Sequence, residues 1–247
     1  MRGIDVSKYQ GNIDWSKVKS DGIEFAMVRL GFGFSTLDPY FEANVAGAQE
    51  QGIKVGAYHY SYALSPDDAR READFVLLML KNYRLEFPVA IDIEDASQAA
   101  LGKDTLTNIV TAFCEKIEAA GWWAMIYAST DWLTNKLDLN KLTRFAIWRA
   151  HWTTASIYSL GEGIWQYANN GSVNGIKGNV DMNIAYTDYS VPIIAHGLNG
   201  WPKNIDAAPT PTVVSTSKEN LYRGTLTSVK TELQAALSRI DEALNAK

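Results

Sequence analysis

The chain has 247 residues, 47% of them hydrophobic and 21% charged, an ordinary balance for one large globular α/β domain with or without an appendage. A net charge of −5 with no run of Lys or Arg argues against a nucleic-acid partner, and no apolar stretch reaches membrane-spanning length. The single cysteine, Cys114, excludes an intramolecular disulfide and falls in an expected helix, where it reads as a small buried apolar residue. Met1-Arg2 runs straight into Gly-Ile-Asp-Val, which leaves no room for a signal peptide, so cytoplasmic synthesis or prior removal of a leader is expected.

In chain order, short apolar runs that end in polar or aromatic residues predict strands at 3–7, 25–29, 55–60, 89–94, 124–128, 145–149, 163–167 and 179–183. Helical patterns lie between them. One opens at Asp38-Pro39 and runs to Gln51 before Gly52; Ser65-Pro66-Asp67-Asp68 caps another that reaches Asn82. Others span 105–120, closed by Gly121, and 130–137. Alternating strands and helices predict a parallel sheet, and eight such strands can close into a barrel. The last two links are too short for crossover helices, so the expectation is an irregular TIM-like (β/α)5(β)3 barrel over residues 1–200. Residues 201–219, with Pro209 and Pro211, read as a linker. Over 220–247 an apolar stripe (Leu226, Val229, Leu233, Ala236, Leu237, Ile240, Ala243, Leu244) predicts an amphipathic helix that docks on its own barrel or serves homo-oligomerisation or a partner.

The run Val89-Ala-Ile-Asp-Ile-Glu-Asp95 carries acids where a buried strand should be apolar. Side chains alternate along a strand, so Ala90, Asp92 and Glu94 share one face and Asp95 falls on the other, as a loop or cap residue. Chemistry in α/β barrels gathers at the C-terminal ends of the strands. Asp5 ends the first expected strand, Asp92 and Glu94 the fourth, and Asp181 the eighth, which brings four carboxylates towards one cavity. Crowded, desolvated carboxylates raise one another's pKa, and a protonated acid beside ionised ones is what glycosidic cleavage requires. For any one of these acids the alternative is an ion pair or a cap. A divalent-metal site is the chemical rival, but the sequence has no calcium-loop spacing, no His pair at ligand spacing and no phosphate loop, so no metal and no cofactor is expected. Tyr58, Tyr60, Tyr127, Trp148 and Trp165 offer flat faces for a sugar ring, with barrel core as the alternative role, and Gln166 offers a hydrogen-bonding amide.

Four stretches together, GIDVSKYQGNIDW at 3–15, DPYFEANVAGAQEQGIKVGAYHY at 38–60, VAIDIED at 89–95 and IWQYANNGSVNGIKGNVDMN at 164–183, resemble the glycoside hydrolase family 25 lysozymes, the N-acetylmuramidases. The resemblance covers residues 1–190 in order. It implies the (β/α)5(β)3 barrel and cleavage of the β-1,4 bond between N-acetylmuramic acid and N-acetylglucosamine in peptidoglycan. It further implies Glu94 as general acid, Asp92 as the group that orients the substrate's own acetamido, Asp5 and Asp181 as the other active-site acids, and net retention through an oxazolinium. Without a leader, the expected setting is a phage endolysin that reaches the wall through a holin pore. Two other classes stay open at this point: a non-catalytic peptidoglycan-binding module and a chitinase-like glycosidase.

Overall fold

A computed structural model describes residues 1–154 and 160–203; the expected helix at 220–247 and the linker beyond Lys203 lie outside the described residues. In chain order the elements are β1 (Arg2–Val6), α1 (Trp15–Ser20), β2 (Phe25–Phe32), β3 (Thr36–Leu37), α2 (Phe41–Glu50), β4 (Lys54–Tyr60), α3 (Pro66–Leu80) and β5 (Val89–Asp92). Then follow α4 (Lys103–Ala119), β6 (Ala124–Ser129), β7 (Ala146–Ala150), β8 (Ile164–Gly171), β9 (Val180–Ala185) and α5 (Ser190–Ala195). All eight expected strands are present. They close in the order β1, β2, β4, β5, β6, β7, β8, β9 and back to β1, with the two-residue β3 paired outside on β2.

The direction of the last strand corrects the sequence expectation. β1 to β8 pair in parallel around the barrel, but β9 is antiparallel to both of its neighbours, β8 and β1. Only eight residues separate Gly171 from Val180, too few to carry the chain back for a parallel strand, so the link can only make a hairpin. Helix α1 has a single turn and a half, too little for periodicity to register, and is fixed by Asp14, whose side chain accepts from the Lys17 N–H. The expected helix at 130–137 is a short turn over Trp132–Lys136 in which Leu137 N–H reaches back five residues to Trp132 O.

Alternation along the strands sorts two cores. Val89 and Ile91 face outward into the layer between barrel and helices, together with Ala73 and Val76 of α3 and Ile109, Val110 and Phe113 of α4. Cys114 is fully buried there, as its helical position predicts. Helix α3 is capped by Ser65, whose side chain accepts from Asp68 N–H, and α4 ends at Gly121 with φ of 82°. Each large apolar side chain buried in this layer contributes roughly 1.5–3 kcal/mol. Inside the barrel, Ala90 packs with Phe25, Met27, Met125, Trp148 and Ile164. Gly3 makes room for the Phe25 ring, which would lie 2.2 Å from a Cβ at that position.

The far end of the barrel is stoppered by α5 and the residues after it. Tyr189 and Ile193 join the inner core against Phe87, and Trp201 Nε1 donates to Leu85 O at 3.1 Å. Asn199 ties this stopper to two strand entrances. Its Oδ1 accepts from Trp123 N–H at 2.7 Å, its Nδ2 donates to Phe87 O at 2.8 Å, and its backbone is left-handed with φ of 53°. Asn199→Ala strands two buried backbone groups and forces a β-carbon residue without a helping side chain into the left-handed region. It should lower the unfolding free energy by about 2–4 kcal/mol in a denaturant titration, without changing the denaturant dependence.

Candidate active site

At the end where the parallel strands finish, inward-facing residues change from apolar to polar. Asp5 of β1, Tyr58 and Tyr60 of β4, Asp92 of β5 and Tyr127 of β6 line a cavity of about 240 Å³. Trp148 of β7, Gln166 of β8 and Asp181 of β9 complete its wall, joined by Arg29 of β2 and by Ser7, Tyr9, Gln10 and Trp152. Asp181 corrects its expected position: it is the second residue of β9, not the end of a parallel strand. The reversed strand brings it to the same rim, in register with Asp5.

A hydrogen-bond network fixes the innermost acid. Asp5 Oδ2 accepts from Asn183 Nδ2 at 2.7 Å and from Gln166 Nε2 at 2.9 Å. Trp148 Nε1 donates to Asn183 Oδ1 at 2.7 Å, which sets that amide. Gln166 Oε1 accepts from Tyr127 Oη at 3.1 Å and Trp152 Nε1 at 2.9 Å, which sets the other. The two amides therefore aim their N–H groups at one carboxylate and cannot flip without losing partners. Burial, and then the Asp181 charge, still hold Asp5 well above the usual carboxylate range. Asp5 and Asp181 face one another in register, and burial raises the pKa of both.

Asp92 lies across the cavity. Burial is again the first cause that raises its pKa, followed by Glu94 and Asp5, with Arg29 acting in the opposite sense. Its Oδ1 is buried with no hydrogen-bond partner among the described residues. Glu94 stands outside the residues that line this cavity, two places beyond the last residue of β5. It is half-buried; the Ser129 hydroxyl and backbone N–H favour its ionised form, but burial outweighs them and raises its pKa. Asp95 caps the turn over Ala96–Gln98, as its parity predicts, and accepts from Tyr60 Oη at 3.1 Å.

The aromatic expectations divide. Tyr58, Tyr60 and Tyr127 line the cavity, and Trp148 forms its floor, 1% exposed and edge-on to both Tyr58 and Tyr127. Trp165 does not line this cavity but a neighbouring cleft that shares Trp152 with it. It neighbours Gln166, so with alternating side chains both cannot face inward; Trp165 points to the other side, donates to His151 O at 2.8 Å and packs on Tyr167. His59 also points outward, where it stacks on Phe113 and burial pushes its pKa down to about 3, so it stays neutral and away from the cavity. Among the described residues, no three His, Cys, Asp or Glu side chains are grouped to hold a metal ion, and no helix is long and apolar enough to cross a membrane.

Five lining residues escaped the sequence reading, Ser7, Tyr9, Gln10, Arg29 and Trp152, as did Asn183, which bonds to Asp5 without lining the cavity. Asn183 shares the parity of Asp181 two residues earlier, a signal that was legible. Arg29 reaches the cavity beside a bulge at Leu30, where the β2–β4 register slips, and is held by Asp38 through Nε and Nη2, both at 2.8 Å. Trp152 lies in the loop after β7, where no periodicity applies.

With this geometry in view, residues 4–176 match the model of the glycosyl hydrolases family 25. The chain belongs to that family. It is 28% identical over 187 residues to the autolytic lysozyme of Clostridium acetobutylicum, an alignment that takes in 74% of this chain and 55% of that one. The chain thus spans about half the length of that relative. Among solved structures, the bacterial lysozyme from Streptomyces coelicolor superposes with a TM-score of 0.69 at 28% identity, covering 82% of this chain and 98% of that one. The modular autolysin LytC from Streptococcus pneumoniae, solved with a synthetic peptidoglycan ligand, gives 0.69 at 26%, covering 75% and 46%. The family 25 match and both structures agree with the closed, mixed barrel described above.

The crowded acids have a consequence for stability. A carboxyl whose pKa is higher folded than unfolded contributes stability that is complete below the unfolded value and fades as pH rises through the folded one. Asp5 and Asp181 are both of this kind. Asp181→Asn removes one of the two charges and keeps a donor for Asp5. It should raise the melting temperature by a few degrees at pH 8, with the gain shrinking towards pH 4.

Proposed function

We propose that this chain is a peptidoglycan hydrolase, a lysozyme that cleaves the β-1,4 bond between N-acetylmuramic acid and N-acetylglucosamine in the bacterial cell wall. The observation that carries this reading is the convergence of Asp5, Asp92 and Asp181 on one aromatic-walled cavity, with the Glu94 charge acting on Asp92. The family match and the lysozyme relatives support it.

In this reading Glu94 is the general acid. Burial favours its protonated form, while its partial exposure leaves it within reach of a leaving oxygen at the cavity mouth. Asp92 is the partner. Its unsatisfied Oδ1 suits the N–H of the substrate's acetamido group, and a carboxylate there would turn the acetamido oxygen towards the anomeric carbon as the glycosidic bond breaks. Attack by that oxygen gives an oxazolinium, and water then opens it with net retention. The Asp5–Asp181 pair keeps negative charge facing the positive charge that grows on the sugar ring. Tyr58, Tyr60 and Tyr127 supply ring faces and Gln166 an amide to the sugar.

Glu94→Gln tests the assignment. The amide preserves the Ser129 contacts but has no proton to give. Release of reducing ends from purified walls should fall by roughly 10²–10⁴-fold with the melting temperature nearly unchanged. Near-normal release would remove Glu94 from the acid role.

A further inference from the structure

Beside the acid-lined cavity lies a second cleft of about 360 Å³, lined by Lys8, Tyr9, Arg29, Phe32, Tyr60 and Tyr62. Tyr9, Arg29 and Tyr60 line both, so the two clefts adjoin. The chemistry of the two differs in sign. The first holds three carboxylates; the second has cations as its only charged lining groups.

Of those cations, Arg29 is already committed, since Asp38 takes both its Nε and its Nη2 at 2.8 Å. Lys8 is not. Its backbone N–H donates to that same Asp38, which fixes the start of the side chain, while the exposed ammonium hangs over the Tyr9 and Phe32 rings at 5.5 and 5.9 Å. Among the described residues, no carboxylate lies within 4.0 Å of it. Tyr9 is 76% exposed and Tyr62 44%, so the cleft is open and its walls are aromatic. A cation at the edge of an open aromatic cleft suits a ligand with an apolar body and one negative charge.

We propose that Lys8 is a specificity-determining residue whose ammonium receives a carboxylate carried by the 3-O side arm of the muramic residue. This rests on the muramidase reading and deepens it. Of the two alternating sugars only muramic acid bears such an arm. The arm ends either in the lactyl carboxylate itself or, where a peptide stem is attached, in the carboxylates of that stem. Both sources offer the same chemistry to Lys8.

The test compares the full chain with Lys8→Ala, Lys8→Glu and Lys8→Arg on two glycans. One carries peptide stems; the other has been stripped of them and ends in the free lactyl acid. Each is used with its carboxyls free and with them methyl-esterified, and the quantity read is the ratio of kcat/KM for acid over ester. The unaltered chain should prefer the acid by about five- to tenfold on at least one glycan, and that glycan identifies the source of the carboxylate. Lys8→Ala should bring the ratio close to one, Lys8→Glu should invert it, and Lys8→Arg should restore it. No preference in the unaltered chain, or a ratio that survives Lys8→Ala, overturns the proposal. If the unaltered chain cleaves none of the glycans, the hydrolase reading fails separately. The same acid-to-ester ratio taken from equilibrium binding to the unaltered and Lys8→Ala chains then decides on Lys8 by the same two outcomes.

Discussion

The structure turns on one costly arrangement, the gathering of buried Asp5 and Asp92 and half-buried Asp181 around a single cavity. Desolvating one unpaired carboxylate costs several kcal/mol, and three at close range repel as well. The barrel offsets part of this cost. Asn183 and Gln166 deliver N–H groups to Asp5, and the amides that do so are themselves held by Trp148, Tyr127 and Trp152. The cost that remains shows in the acids themselves, since burial raises the pKa of every one of them. Asp92 keeps an oxygen without a partner. Such groups collect where function requires them and the surrounding fold can bear the cost.

The reversal of β9 makes this possible. A parallel final strand would have put the start of that strand at the opposite end of the barrel. Because β9 runs antiparallel, its second and fourth residues, Asp181 and Asn183, both face the rim, one opposite Asp5 in register and the other bonded to it. The short hairpin between β8 and β9 therefore shapes both the closure of the barrel and the chemistry at its mouth. At the other end, Asn199 and the α5 stopper close the inner core.

Much of this was legible in the sequence, for a physical reason. Strand alternation is strict, so the placing of Ala90 and Asp92 inside, Val89 and Ile91 outside, followed from order alone, as did Tyr58 and Tyr60 on one face. The same rule should have separated Trp165 from Gln166 and joined Asn183 to Asp181. Strand direction is a different kind of fact. It depends on where a link can lead the chain in space, and the assumption that every strand ends at the site placed Asp181 at the right rim for the wrong reason. Arg29 and Trp152 were hidden because a bulge and a loop obey no period. Parity continued past the end of the strand had put Glu94 beside Asp92, but there the backbone leaves the ladder and Glu94 is not among the residues that line the cavity.

The most direct measurement is the identity of the new reducing ends in a wall digest. Purified peptidoglycan is digested to completion, reduced with borohydride, hydrolysed and analysed by mass spectrometry. An acid group at the mouth of this cavity acting on the muramyl bond predicts muramitol as the reduced sugar. Glucosaminitol in its place, or no reduced amino sugar at all, would contradict the account.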